Sequence, residues 1–203
     1  GDNMSFEDFN ANHKMSSQKV GATIADDIII GSFIVMLVAI AFMFFYIFVR
    51  FKSWKYGFGA VAALIHDVII TLGVFSLFYG KLPFSLEIDQ AFIAAILTVV
   101  GYSVNDTVIV FDRIREYRGL YPKRKVRTVM NAAINDTIPR TFNTSFTTLL
   151  VILIIFIFGG EVIRGFVFAL LIGIMVGTYS SVFVASPLVY ETGYRKSESE
   201  KEE

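Results

Sequence analysis

Long apolar runs separated by short charged segments set the pattern of this chain. Residues 28–49 hold no charged side chain over 22 positions, and a helix of that length crosses about 30 Å of hydrocarbon at 1.5 Å per residue. Similar runs occupy residues 57–79, 91–111, 141–158 and 166–190. The spacing predicts an all-α polytopic membrane bundle of five spans over 28–190. Between the third and fourth runs, Val126, Val129, Met130, Ala133 and Ile134 recur at three- and four-residue steps after a basic stretch. That pattern predicts an amphipathic helix over about 123–135, lying along the membrane interface. Residues 1–27, with seven charged side chains, read as an extramembrane tail, and 191–203 as a charged, disordered one.

Polar residues inside the runs are few and periodic. In the third, Thr98, Tyr102, Asn105, Asp106 and then Asp112 or Arg113 repeat at helical spacing, which predicts one polar side. In the fourth, entered through Pro139, the residues Arg140, Asn143, Thr144, Thr147 and Thr148 mark one face of the first two turns. His66 and Asp67 interrupt the second run near its middle. In the fifth, Gly165, Ala169, Gly173, Gly177, Ser181 and Ala185 stand at every fourth position. Such a ridge of small side chains lets another backbone approach closely, so Gly165, Gly173 and Gly177 are expected to pack against a helix rather than lipid.

Composition agrees with a membrane protein. Hydrophobic residues make up 55% and aromatic residues 15% of the 203, too apolar for a soluble domain of this length. Eighteen basic and eighteen acidic side chains cancel, and their clustering at the ends of runs leaves no nucleic-acid surface. Their placement says more than their balance. The segments after the first, third and fifth runs hold three, seven and three Lys or Arg, against one each in 80–90 and 159–165. The positive-inside rule then puts the C-terminus, the 123–135 helix and the basic segments in the cytoplasm, and the N-terminal tail outside. The absence of cysteine removes disulfides, thiolate metal sites and cysteine nucleophiles together. With His13 and His66 the only histidines, no zinc pattern exists, and no metal or cofactor is expected. No signal peptide is visible in 1–27.

Asp106 is the residue that needs a reason. The run FIAAILTVV lies upstream of it and TVIVF downstream; a carboxylate at the centre of a span costs roughly 2.5–3.5 kcal/mol on insertion scales, and such acids usually face a bundle interior or a wet cavity. Asp106 and Arg140 both belong to polar stripes near membrane depth and are expected to lie within reach of one another. A carboxylate beside an arginine keeps its charge, one desolvated alone holds its proton, and a group moving between those settings passes protons. The membrane potential adds about 2.3 kcal/mol per charge per 100 mV, so that passage can deliver work. A static buried ion pair locking two helices is the alternative. Asn105 adjoins the acid, and Asn143, Thr144, Thr147 and Thr148 fit either a hydrated path or interhelical hydrogen bonds.

His66 and Asp67 are secondary candidates. They stand 100° apart on a helix, so at most one faces a given partner squarely, and an Asp67 bonded inside the bundle is the plainer account. Asp112, Arg113, Arg115 and Glu116 fit a solvated exit from the membrane, and Asp26 and Asp27 fit acids at a helix N-terminus. Two intramembrane aspartates also raise an intramembrane aspartyl protease, whose chemistry needs two carboxylates sharing one site. Residues 101–106 read Gly-Tyr-Ser-Val-Asn-Asp and lack the G-x-G-D context of such proteases, so no enzymatic activity is expected. A purely structural subunit is a third class; it should tolerate Asp106→Asn, which a proton carrier should not.

Three motifs in order, ALIHDVIITLGVFSL at 63–77, GYSVNDTVIVFDRIRE at 101–116 and INDTIPRTFNTSFTTLL at 134–150, resemble the transmembrane portion of the SecF family, and equally the SecF half of fused SecDF. The resemblance runs over about 20–190. It implies membership of the resistance-nodulation-division superfamily and a place in the bacterial inner membrane. The implied partners are a SecD-like half, separate or fused, the SecYEG channel and the translocating preprotein. The implied function is an accessory subunit that uses the proton-motive force to help export proteins, with H⁺, or else Na⁺, as coupling ion. Asp106 and Arg140 fall on the positions that the family regards as its proton pathway. The family has six spans and a periplasmic domain between the first two, so the chain is expected to be a C-terminal portion, with 20–27 as the link. Pro139 stands where another residue is expected. The fold implied is one half of a pseudo-symmetric pair, since intramembrane charges on one repeat are usually satisfied at the repeat interface. A translocon subunit without ion conduction and a small-molecule efflux half are the alternatives.

Overall fold

The computed structural model describes residues 22–195, with side-chain surroundings from residue 30. Helix α1 runs Ala22–Phe51, α2 Trp54–Phe78, α3 Gln90–Leu120, α4 Val126–Phe158 and α5 Glu161–Ser180; a π turn, Ser181–Ala185, leads into α6, Ser186–Gly193. Five stretches are long and apolar enough to cross a membrane, the fifth being Glu161–Gly193 with the π turn inside it. Among the described residues there is no strand, and the protein is an all-α, multi-pass membrane protein. Most of the expected N-terminal tail, the side chains of Asp26 and Asp27, and the C-terminal tail from 196 lie outside the described residues.

Contacts divide the chain into residues 1–34 and 35–203. In the first unit the described part is the opening of α1. In the second, α3 is central: it packs against α2, α4 and α5, while α5 packs against α2, α3 and α4. Half of the most apolar window of α3 is buried, against 6% for α1. The second half of α1 meets its neighbours through Phe44, Ile47, Arg50 and Phe51, of which Ile47 and Phe51 are buried. Lys52 takes a left-handed backbone, φ 51°, and reverses the chain into α2 within two residues. At the start of α3 the Asp89 carboxylate accepts a hydrogen bond from the Phe92 amide at 2.9 Å, satisfying one of the free donors of a helix N-terminus.

The 31 residues of α3 make a rod of about 46 Å, longer than the roughly 30 Å hydrocarbon layer. Its charged C-terminal turns therefore extend beyond the apolar layer. The most informative departure from expectation is α4. No separate interfacial helix over 123–135 exists; residues 126–135 are the first part of a single helix of 33 residues that runs through Pro139, and 123–125 precede it. The reason is a continuous buried face. Val129, Ala133, Thr137, Thr141 and Ser145 repeat at every fourth position and are all buried, so the packing that holds the apolar turns also holds the hydroxyl-bearing ones. Pro139 withholds its missing N–H from the Asn135 carbonyl without ending the helix.

The small-residue ridge of α5 faces its neighbours. A Cβ added at Gly173 would run into the Val99 side chain and one at Gly177 would stand 3.0 Å from the Ser103 Cβ, both on α3, whereas one at Gly165 would stand 2.8 Å from the Ser85 carbonyl oxygen, so Gly165 meets the segment before α3 rather than a helix. Gly59 of α2 has the same role without a ridge to announce it: its Cβ would lie 2.7 Å from Val189 Cγ2 and 2.9 Å from the Ala185 carbonyl oxygen.

Candidate functional site

Asp106 is fully buried on α3. Ser145 of α4 donates a hydrogen bond to its Oδ2 at 3.3 Å, and Thr178 of α5 stands 2.7 Å from Ser145 Oγ. Three helices thus converge on one carboxyl group through two hydroxyls. The other oxygen, Oδ1, has no partner, and the second partnerless buried side-chain atom among the described residues is Thr141 Oγ1 on the same face of α4. A buried polar atom left unsatisfied costs about 1–3 kcal/mol, so two in facing helices need an account.

Arg140 is exposed and makes no hydrogen bond or ion pair with Asp106 among the described residues. The physical reason is helix geometry. Ser145, which faces Asp106, is five residues on from Arg140, about 140° around α4 and about 7.5 Å along it. Arg140 instead lines a cavity of about 390 Å³ together with Ile109, Asp112, Arg113, Glu116, Asp136 and Thr137. Two clips brace this vestibule. Arg113 bridges α3 to Asp136 on α4 and bonds Glu116 at 2.7 Å, and Arg50 of α1 donates to Asp112 at 2.8 Å. The expected polar stripe of α4 also lies elsewhere: Asn143, Thr144 and Thr147 are exposed. The hydroxyls of Thr144, Thr147 and Thr148 bond carbonyls of their own helix, those of Arg140, Asn143 and Thr144, at 2.9–3.0 Å; Thr148 alone of these also makes the expected interhelical bond, accepting from the Tyr102 hydroxyl of α3 at 3.2 Å. Asn105 is exposed too, beside a cavity formed with Met43 and Tyr46 of α1, so the expected single polar side of α3 is split between two faces.

Asp67 belongs to a second buried cluster. Its Oδ2 accepts from Ser103 of α3 at 2.7 Å and its Oδ1 stands 3.2 Å from His66 Nδ1. Gly177 passes directly over this bond, its Cβ position 3.5 Å from Asp67 Oδ2. Ser181 opens the π turn 2.9 Å from Thr107, and Ser186 bonds the Ser181 carbonyl five residues back at 3.1 Å. No hydrogen bond joins Asp67 to Asp106 among the described residues, whereas two carboxylates of an aspartyl protease share one site. Ser103, Thr107, Thr141, Ser145, Thr178 and Ser181 were not among the expected site residues. For Ser103 and Thr107 the available signal was their three- and one-residue offsets from Asp106, and for Thr141 and Ser145 it was the four-residue repeat begun by Val129 and Ala133.

Residues 3–195 match the family described as "Protein export membrane protein SecD/SecF, C-terminal". The protein translocase subunit SecF of Rhodothermus marinus is 59% identical over 172 residues, which is 85% of this chain and 56% of that relative. The SecF subunit of Vibrio alginolyticus is 46% identical over 177 residues, covering 87% of this chain and 54% of the relative. The chain thus spans about half the length of the curated relatives it matches. Among solved structures, SecDF of Thermus thermophilus, titled a translocon-associated membrane protein, is 41% identical with a TM-score of 0.77 over 87% of this chain and 24% of that one. SecDF in a super-membrane-facing form reaches 0.78 at 35% identity, over 97% of this chain and 26% of the other. The match over nearly the whole chain, on a bundle of five spans with a buried acid at its centre, places this protein in the SecD/SecF C-terminal family of protein-export membrane proteins.

Proposed function

We propose that this chain forms the membrane part of an accessory subunit that uses the proton-motive force to assist Sec-dependent protein translocation across the bacterial inner membrane. Its partners in that role are a SecD-like half, separate or fused, the SecYEG channel and the preprotein, and it needs no cofactor beyond the coupling ion. The observation that carries the reading is Asp106, an acid buried within a membrane span whose Oδ1 has no partner among the described residues. Such a carboxyl is costly as a strut and useful as a proton carrier. Arg140 acts from the vestibule, where its charge sits among Asp112, Glu116 and Asp136 and biases which ions collect there. The outward-facing Asn105, Asn143, Thr144 and Thr147 are assigned to contacts outside this chain, since polar side chains at membrane depth seek partners on neighbouring helices. The basic segments at the vestibule end support a cytoplasmic orientation of that end and of the C-terminus under the positive-inside rule. Asp67 supports a structural reading for itself alone, because both of its oxygens have partners.

The test is export into inverted inner-membrane vesicles carrying the full-length protein, with and without a proton gradient. Wild type should export faster with the gradient, and Asp106→Asn should lose that gradient-dependent part while still inserting and binding its partner. Replacing Na⁺ in the buffer separates the two coupling ions. Gradient-dependent export that survives Asp106→Asn overturns the reading.

A further inference from the structure

The vestibule stops one helical turn short of Asp106. Its lining includes Ile109, three residues after Asp106 on α3, and Thr137, four residues before Thr141 on α4. Those offsets correspond to roughly 4.5 Å along α3 and 6 Å along α4. Across that gap α4 presents Thr137, Thr141 and Ser145 in a row, all buried. Ser145 already bonds Asp106, and Thr137 turns its hydroxyl back to the Ile134 carbonyl at 2.8 Å. Thr144, Thr147 and Thr148 likewise bond carbonyls of their own helix. Thr141 differs from all of these. Its hydroxyl is buried and has no partner among the described residues, and the same holds for Oδ1 of the carboxyl on the facing helix. Buried polar atoms in native proteins are almost always satisfied by protein or by ordered water, and a threonine in a helix has a carbonyl within easy reach. A hydroxyl that forgoes that bond is set to serve something else.

We infer that Thr141 is the positioning residue through which protons pass between the vestibule and Asp106, its Oγ1 and Asp106 Oδ1 being bridged by water. This deepens the proposed function and rests on Asp106 being a proton carrier. The transfer balances without any further reactant. A vestibule water gives a proton to the Thr141 oxygen as the hydroxyl releases its own proton toward the bridging water. That water in turn protonates Asp106 Oδ1. Afterwards Thr141 and the bridging water are unchanged, the carboxyl has gained one proton and the vestibule has lost one. The reverse sequence empties the acid. Thr141→Val keeps the shape and removes the hydroxyl, whereas Thr141→Ser keeps it.

The experiment follows hydrogen–deuterium exchange of the Asp106 carboxyl by infrared spectroscopy in the purified full-length protein in lipid nanodiscs, with the band assigned by its loss in Asp106→Asn. Thr141→Val should slow exchange about tenfold, Thr141→Ala, a second hydroxyl-free variant, should also slow it, and Thr141→Ser should stay within about twofold of wild type. A merely structural threonine would shift stability but not show this split. If the hydroxyl-free variants exchange at the wild-type rate, or if serine is as slow as valine, the route through Thr141 is wrong while the proton carrier stands. If Asp106→Asn removes no carboxyl band, the carrier reading itself falls and the route with it.

Discussion

Two glycines of α2 allow one substitution to be read with opposite signs. At Gly59 an added Cβ would stand 2.7 Å from Val189 Cγ2 and 2.9 Å from the Ala185 carbonyl oxygen, whereas at Gly73 nothing lies within 4 Å. Carbon atoms rest at about 3.5–4.0 Å, so Gly59→Ala must open the contact between α2 and α6 by about 1 Å. Val189 is fully buried, and the Ala185 oxygen belongs to backbone held in the π turn, so neither yields cheaply. Overpacking of this kind costs about 1–3 kcal/mol. Both variants gain the same helix propensity, about 0.8–1.0 kcal/mol, which cancels in their difference. Gly73→Ala should therefore stabilise the protein, and Gly59→Ala should be less stable than Gly73→Ala by about 1–3 kcal/mol. In an unfolding equilibrium constant that is roughly 5- to 150-fold, measurable by titrating the detergent-solubilised protein with dodecyl sulfate and following helicity. Equal shifts for the two variants would show that α2 and α6 do not meet as described. The contact matters for the site because the π turn it braces holds Ser181 against Thr107, the neighbour of Asp106 in sequence.

Ser103→Ala removes the 2.7 Å donor to Asp67 and should cost about 1–3 kcal/mol in the same titration; an unchanged midpoint would mean that water replaces the hydroxyl without loss. Phe111→Ala empties a fully buried position flanked by Tyr56 and Phe51 rings at 5.0 and 5.8 Å. It should cost about 3–5 kcal/mol, and a loss under about 1 kcal/mol would place the anchor of α1 elsewhere.

The five spans are readable from the chain because lipid demands long apolar runs, and Asp106 stands out because a charged side chain inside such a run is costly. Three things were hidden, each for a physical reason. Pro139 reads as a boundary, since proline usually ends or kinks a helix, yet the buried face from Val129 to Ser145 carries α4 straight past it. Arg140 and Asp106 read as a pair because both are charged at membrane depth. Pairing depends on rotation, however, and Ser145 rather than Arg140 faces the acid. The hydroxyls Ser103, Thr141 and Ser145 carry no charge, so periodicity of charged residues passes over them; a four-residue repeat of small and hydroxyl side chains, Ser103 with Thr107 and Ala133 through Ser145, is the pattern that finds them.

The two buried aspartates separate when their oxygens are counted. Asp67 is served by Ser103 and His66, one on each oxygen, and lies under the close approach of α5 at Gly177. A carboxyl so enclosed resists any change in its bonding, because breaking it exposes several groups together. Asp106 accepts from Ser145 alone, at 3.3 Å, and keeps Oδ1 free. A purely structural acid in that place would be a net loss, since an asparagine or serine could tie the same helices at lower desolvation cost. The unfilled oxygen is therefore the feature that a packing role does not require and a proton carrier does. Asp67→Asn should accordingly shift stability more than gradient-dependent export, while Asp106→Asn should do the reverse. If both substitutions acted on stability alone, the asymmetry in their bonding would have no functional meaning.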